Sequence, residues 1–251
     1  MSPPGPARVS SPASTSGPKT AMVLAAGLGT RMRPLTNTMP KALVPVAGRA
    51  LIDRVLDELV AAGVQRAVVN VHHFADQMEA HLAARRDLEV VISDERAALL
   101  DSGGGVQLAR PLLGEAPVFL ANIDSLWTQT AEPPLETLKR AWDPQAMDLL
   151  LLLVARGRGL GFEGPQGFFM DDAGRLTHSA APDVVTPFAN VGFGIMKPQV
   201  LDDQPREGPF SIHPTWRRLQ AQGRMYGAAM DAFWMHVGDP AAREAAEARL
   251  G

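Results

Sequence analysis

Between Ala21 and Ala155, short apolar runs alternate with stretches of helical period, and this alternation restricts the fold more than any other feature. Ala21–Ala26, Ala67–Val71, Leu88–Ile92, Val118–Ala121 and Asp148–Ala155 have strand length and are mostly apolar. Strands covered on both faces read this way, as they do in parallel sheets. Between them, Leu51–Ala62 carries Leu51, Ile52, Val55, Leu56, Leu59 and Val60 at helical spacing and stops at Gly63, a good C-terminal cap. Ala75–Ala84, Val106–Leu113 and Leu135–Trp142 read as further helices. Strand, helix, strand in succession predicts an α/β fold built from parallel βαβ units.

After residue 155 the pattern changes. Gly157–Gly167 reads as a glycine-rich loop, and Asp171-Asp172-Ala173-Gly174 as the turn of a hairpin between Gly167–Met170 and Arg175–His178. Phe188–Met196, Met225–Ala229 and Phe233–Val237 read as strands. Ile212–Gln222 reads as a helix, and Pro240 opens a last one, Ala241–Leu250. No internal repeat is visible.

The length of 251 residues suffices for a sizeable core, and a net charge of −3 argues against a general nucleic-acid binder. The chain has no cysteine, which excludes disulfides, thiolate catalysis and Cys-ligated metal, and fits a cytoplasmic setting. No apolar run approaches the roughly 20 residues of a membrane helix. Residues 1–20 are rich in Pro, Ser and Gly and lack the apolar centre of a signal peptide, so a disordered tail is expected before one domain spanning 21–251. Nothing in the sequence sets an oligomeric state.

The first strand runs into Ala25-Ala26-Gly27-Leu28-Gly29-Thr30-Arg31, with Lys41 a short loop later. Glycine lets backbone approach a polyanion and tolerates positive φ, and successive N–H groups can form an anion nest. Arg31 offers a bidentate guanidinium and Lys41 a compact charge. Neither a P-loop nor a G-x-G-x-x-G fingerprint is present. The glycines alone could be only a turn; the two cations make a phosphate site the better reading.

The segment Leu24–Leu35, followed by Pro40-Lys41-Ala42-Leu43-Val44-Pro45-Val46, resembles the L-A-A-G-x-G-T-R-x-x-P-L-T and P-K-x-L-x-P-V signature of the sugar-phosphate nucleotidyltransferases. The resemblance runs more weakly from Ala21 to about Pro240, and Ala50 departs from it where a proline is usual. It implies a three-layer Rossmann-like fold with a mixed, mostly parallel central sheet and a small sugar-side β subregion. It implies transfer of a nucleoside monophosphate from an NTP to a sugar 1-phosphate. Ala25, Ala26, Gly27, Gly29, Thr30 and Arg31 would then surround the triphosphate, with Lys41 beside the α-phosphate.

Leu100-Asp101-Ser102-Gly103-Gly104-Gly105 precedes a predicted helix, and three successive glycines imply close approach of something. The family sets such a loop against base and ribose, so Gly103 and Gly104 join the candidates. The L-[ED]-[TS]-G-G-G form is most like the N-acetylmuramate 1-phosphate uridylyltransferases of peptidoglycan recycling, which points to UTP. Asn190 and Gly192 lie on a strand resembling the one that lines the sugar pocket, and Phe210, Ser211 and Trp216 are weaker sugar-side candidates. Trp127 could face substrate or core. His72 and His73, adjacent on a strand end, point apart and make a poor metal pair.

Asn122-Ile123-Asp124 closes an apolar strand, where open α/β sheets bind ligands. Asp124 matches the family's Mg²⁺-binding aspartate, and Asn122 stands beside it. The second metal ligand normally comes from W-x-D-x-G-T-P, but here the residues are Trp234-Met235-His236-Val237-Gly238-Asp239-Pro240. His236 replaces the aspartate. Three outcomes are open: His236 binds the metal and favours Mn²⁺, Asp124 and phosphates hold Mg²⁺ while His236 bonds a water, or activity is lost. The alternatives to the uridylyltransferase reading are transfer to another hexose 1-phosphate or to phosphocholine, and a non-catalytic nucleotide-sugar binder.

Overall fold

The computed structural model describes residues 17–162, 167–179, 181 and 183–250. Most of the expected N-terminal tail therefore lies outside the described residues. Of the residues expected in that tail, Lys19 accepts backbone hydrogen bonds from Gln65 and Arg66, and Thr20 opens the first strand.

In chain order the elements are β1 (Thr20–Leu24), β2 (Pro45–Val46), β3 (Arg49–Ala50), α1 (Leu51–Ala61), β4 (Arg66–Val71), α2 (Ala75–Leu82), β5 (Glu89–Asp94) and α3 (Asp101–Leu113). Next come β6 (Val118–Asn122), β7 (Ser125–Trp127), α4 (Pro134–Ala141), β8 (Leu149–Ala155), β9 (Gly159–Leu160), β10 (Gly167–Met170) and β11 (Leu176–Ser179). The chain closes with β12 (Phe188–Met196), α5 (His213–Ala221), β13 (Met225–Ala229), β14 (Trp234–His236) and α6 (Pro240–Leu250). Three short 3-10 turns carry the stretch from Thr30 to Leu43.

Nine strands form the central sheet. One path through it runs β11-β10-β12-β6-β1-β4-β5, and β8 and β13 extend it from β12. The half containing β6, β1, β4 and β5 is parallel. β12 is antiparallel to both β6 and β8. Alternate side chains enter two separate cores. Ala21, Val23, Val69, Leu150 and Leu152 join helices α1, α2 and α4 on one face, while Met22, Val68, Leu149, Leu151 and Leu153 join α3 and α5 on the other. The period-2 pleat of buried strands thus produces the expected three-layer arrangement.

Asp148, just before β8, ties three strand ends together. Its carboxylate accepts from Lys197 Nζ at 2.8 Å and from Arg224 Nη2 and Nε at 2.9 and 3.0 Å. The Arg224 hydrogen bonds, helped by Lys197 and opposed by burial, pull its pKa down to about 2. A depressed carboxylate stabilises the fold above its unfolded pKa of about 3.9, and that stability is lost as pH falls toward the folded value. Asp148→Asn should lower unfolding free energy by about 1–2 kcal/mol at neutral pH. In urea titrations the gap to wild type should shrink as pH falls from about 5 to about 2; a pH-independent gap would rule out the ion pairs as its cause.

Several sequence expectations shift. The glycine-rich stretch after residue 157 contains β9, which pairs with β14 in a small second sheet with β7. The Gly103–Gly105 triplet is not a loop but lies in the first turns of α3. What approaches these glycines is the protein itself. A Cβ at Gly103 would sit 2.5 Å from the Phe210 ring, at Gly104 2.7 Å from the Gly208 carbonyl, and at Gly105 2.6 Å from Glu95 Oε1.

Candidate active site

The chain runs from β1 to β4 and β5 on one side of β1, then returns to β6 on the other. The carboxyl ends of β1 and β6 therefore flank a topological switch point, where a crevice opens because the following loops leave in opposite directions. Leu24 and Asn122, the last residues of these strands, are register partners. Three clefts meet on this pair, since both residues line all three.

The first cleft is bounded by Ala25, Gly27, Gly29, Thr30, Arg31, Lys41, Asp124 and Gly238. The two loop glycines are there for different reasons. Gly29 has φ +61°, and a Cβ there would lie 2.9 Å from Lys41 Cβ, so the fold itself demands glycine. Gly27 has neither strain nor a neighbour within 4 Å of a built Cβ. It leaves open space at the meeting of two clefts. Among the described residues, the N–H groups of Gly27, Leu28 and Gly29 have no protein acceptor, and the exposed Arg31 has no ion-pair partner. Unpaired N–H groups and a guanidinium of this kind can take an anion.

Ala25 and Ala26 differ from the nest expected of them. Their N–H groups are already bound by Asn70 Oδ1, at 2.6 and 3.2 Å. The Asn70 amide is held in turn by Nδ2 donating to Glu95 Oε1 at 2.6 Å. Asn70 and Glu95 are both buried. Burial pushes the Glu95 carboxyl up, against the Asn70 hydrogen bond. Sequence reasoning missed this pair. The available signal was a polar side chain inside the apolar strand Ala67–Val71, since an amide is buried only where its hydrogen bonds are met. Because Asn70 sets where the loop leaves β1, Asn70→Ala should raise the KM for the nucleotide about tenfold or more while the protein stays folded. Steady-state kinetics with a melting curve tests this; an unchanged KM would remove Asn70 from the positioning of the loop.

Lys41 and Asp124, 83 residues apart, form an ion pair at 2.7 Å. The Lys41 side chain is 10% exposed and that of Asp124 18%, so solvent screens the pair little. Burial would raise the Asp124 carboxyl, but the His236 hydrogen bond and the Lys41 charge outweigh it and hold it well below the usual carboxylate range. His236 reaches Asp124 through the small sheet: β14 pairs with β7 in the register His236↔Ser125, and Val237 N donates to the Asp124 carbonyl at 2.8 Å. His236 Nε2 lies 3.3 Å from Asp124 Oδ2, and Nδ1 lies 3.0 Å from the Gly161 carbonyl. A carbonyl can only accept, so Nδ1 carries a proton and Nε2 is the nitrogen that faces Asp124. Burial lowers the imidazole pKa, and Asp124 more than reverses that, leaving it raised. Asp239, where the related motif has threonine, caps α6: its Oδ1 accepts from Ala242 N at 2.9 Å.

The second cleft is lined by Ala26, Gly27, Asn70, Glu95, Leu99, Asp101 and Ser102. Gly103 and Gly104 are buried and do not line it, and both donate their N–H to the Phe210 carbonyl. The third cleft is more apolar. Asn190, Gly192, Phe193, Phe168, Phe162, His178, His213 and Trp216 line it. Asn190 Oδ1 accepts from Gly192 N at 2.9 Å, within a β-bulge that shifts the β12–β8 register. Trp127 packs edge-on against Phe193 at 4.9 Å and belongs to the core rather than a cleft. His72 bonds the Glu95 carbonyl and His73 packs at a tilt against Phe74, and neither lines the three clefts.

The chain matches the Nucleotidyl transferase family model over residues 20–153. It is 54% identical over 237 residues to an N-acetylmuramate alpha-1-phosphate uridylyltransferase of Caulobacter vibrioides, covering 93% of this chain and 97% of that one. The chain belongs to the nucleotidyl transferase family. An enzyme of the same description from Neisseria meningitidis is 32% identical, covering 92% of this chain and 98% of that one. In fold, the nucleotidyltransferase is similar to the inositol-1-phosphate CTP transferase of T. maritima, with a TM-score of 0.74 at 19% identity over 90% of this chain and 91% of that one. None of the helices described in this nucleotidyltransferase is long and apolar enough to cross a membrane.

Whether the site suits a divalent ion turns on its donors. Among the described residues no group of three or more His, Cys, Asp or Glu surrounds a common point. Asp124 Oδ2 is engaged by Lys41 and His236, whereas no hydrogen bond to Oδ1 is present among the described residues. One available carboxylate oxygen, with an imidazole nitrogen nearby, fits an ion whose other ligands are substrate phosphates and water. It does not fit a cage made of protein alone.

Proposed function

We propose that this nucleotidyltransferase transfers UMP from UTP to N-acetylmuramate 1-phosphate, releasing pyrophosphate and forming a nucleotide sugar, as a step of peptidoglycan recycling. The observation that carries the reading is the meeting of three clefts on Leu24 and Asn122, with the Lys41–Asp124 pair beside them. A triphosphate, a nucleoside and a sugar phosphate each have a compartment, and their reacting ends converge. The similarity over nearly the whole chain to the Caulobacter uridylyltransferase supports the choice of substrates.

In this reading the free N–H groups of Gly27–Gly29, Thr30 and Arg31 hold the triphosphate. Asn122, Asn190 and Gly192 border the sugar phosphate. Its phosphate oxygen attacks the α-phosphorus in line, and the bond from the α-phosphorus to the bridging oxygen breaks to release pyrophosphate. The attacking oxygen is already anionic at neutral pH, so no general base is needed. What the residues contribute is positioning and charge: Lys41 offsets repulsion between the two phosphates, and Arg31 steadies the leaving group. Asp124, with His236 adjacent, would hold a divalent ion that neutralises phosphate charge, Mg²⁺ or, because of the imidazole, Mn²⁺. The reading carries a cytoplasmic location, since both substrates are charged metabolites.

The test is pyrophosphate release from each of four NTPs against a panel of sugar 1-phosphates and phosphocholine, in Mg²⁺ and in Mn²⁺. The expected preference is UTP with N-acetylmuramate 1-phosphate. Release with a different pair, or with none, would overturn the assignment.

A further inference from the structure

The sugar-side cleft does not end at its apolar wall. A smaller recess opens from it, sharing His178, His213 and Trp216 and adding Arg217, Gln220 and Met225. No Asp or Glu lines either space among the described residues. We propose that this recess is a carboxylate-binding subsite, formed by Arg217, His178, His213 and the indole N–H of Trp216, that recognises an acid substituent on the sugar. This rests on the proposed reaction and deepens it: N-acetylmuramate is N-acetylglucosamine bearing a carboxylic acid.

Four observations carry the subsite. Among the described residues Trp216 Nε1 is buried without a hydrogen-bond acceptor, a vacancy that folded proteins rarely leave. Arg217 has no ion pair or hydrogen bond among the described residues, although nearly every other arginine nearby is paired, as Arg218 is with Asp203. The ring nitrogens of His178 and His213 also have no partner there, and the two rings lie 6.2 Å apart. His213 stacks on Trp216 at 5.3 Å with an interplanar angle of 11°, so His213 and the indole come from one turn of α5. Among the described residues the cluster also has no ion-paired carboxylate. Burial, then the charges of His213 and Arg217, lower the His178 pKa. A carboxylate is planar, anionic and acceptor-only, so its two oxygens can accept from several such donors at once. A neutral hydroxyl could meet only one or two.

The test compares N-acetylmuramate 1-phosphate with N-acetylglucosamine 1-phosphate, which differ only in the acid arm. Wild type, Arg217→Ala and Trp216→Phe are measured for binding by calorimetry and for pyrophosphate release with UTP. Arg217 is exposed, so its truncation leaves the core intact, and Trp216→Phe keeps a ring while removing the N–H. Wild type should bind the acid sugar about tenfold or more tightly than the neutral one, and each variant should lose most of that preference through KM rather than kcat. Equal binding of the two sugars by wild type, or variants that keep the preference, would overturn the subsite. A preserved binding preference without turnover would instead sink the proposed reaction and leave the subsite standing.

Discussion

Lys41→Ala should lower turnover by about a hundredfold to a thousandfold while changing UTP affinity only a few-fold. The reasoning starts from burial. The Lys41 side chain is 10% exposed and sits 2.7 Å from Asp124 Oδ2, so its charge acts in a medium where it is poorly screened. Arg31 and the unbonded N–H groups of Gly27–Gly29 remain to bind the triphosphate, which is why affinity should largely survive. In the proposed reaction the nucleotide's α-phosphate and the incoming phosphate repel each other on approach, and Lys41 would offset that repulsion. Steady-state kcat together with calorimetric UTP binding separates the two effects. A variant with normal turnover would take Lys41 out of the chemistry, and one that fails to bind UTP would reassign it to ground-state binding.

Asp124→Asn should cost at least about a hundredfold in activity, by removing the carboxylate oxygen available to a divalent ion. It should also destabilise the protein, because Lys41 would keep its charge in a buried place without a counter-ion. His236→Asp tests the site from the other side. It supplies the second carboxylate that the related motif carries, and it should lower the Mg²⁺ concentration needed for half-maximal activity by about tenfold and narrow any advantage of Mn²⁺. Mn²⁺ binding in the presence of a non-hydrolysable UTP analogue, followed by paramagnetic resonance, gives a readout independent of turnover. If His236→Asp leaves metal affinity unchanged, the imidazole does not stand where the ion binds.

Much of the fold was legible in the sequence because strand and helix periods are local. The run Leu149–Leu153 announces a strand covered on both faces, and the structure sends alternate leucines to opposite cores. Phe188–Met196 and Met225–Ala229 have the bounds read from pattern alone. The two-residue strand β9 was not legible, since its pairing with β14 depends on residues some 75 positions away. The glycine triplet was only partly legible for a related reason. Small size at Gly103–Gly105 signals close approach but not what approaches, and it proved to be Phe210, Gly208 and Glu95.

The glycine-rich loop, its cations and the strand-end aspartate were thus present in the sequence by themselves, because each is a short run of residue types with a definite chemistry. Which groups remain free to use that chemistry was decided by tertiary structure. Asn70 takes the N–H groups of Ala25 and Ala26, while those of Gly27–Gly29 have no acceptor among the described residues. The register of β14 on β7 brings His236 to Asp124 across 112 positions of sequence. Hydrogen-bond satisfaction and ion pairing act on spatial neighbours, and in a switched parallel sheet those neighbours come from strands far apart in the chain.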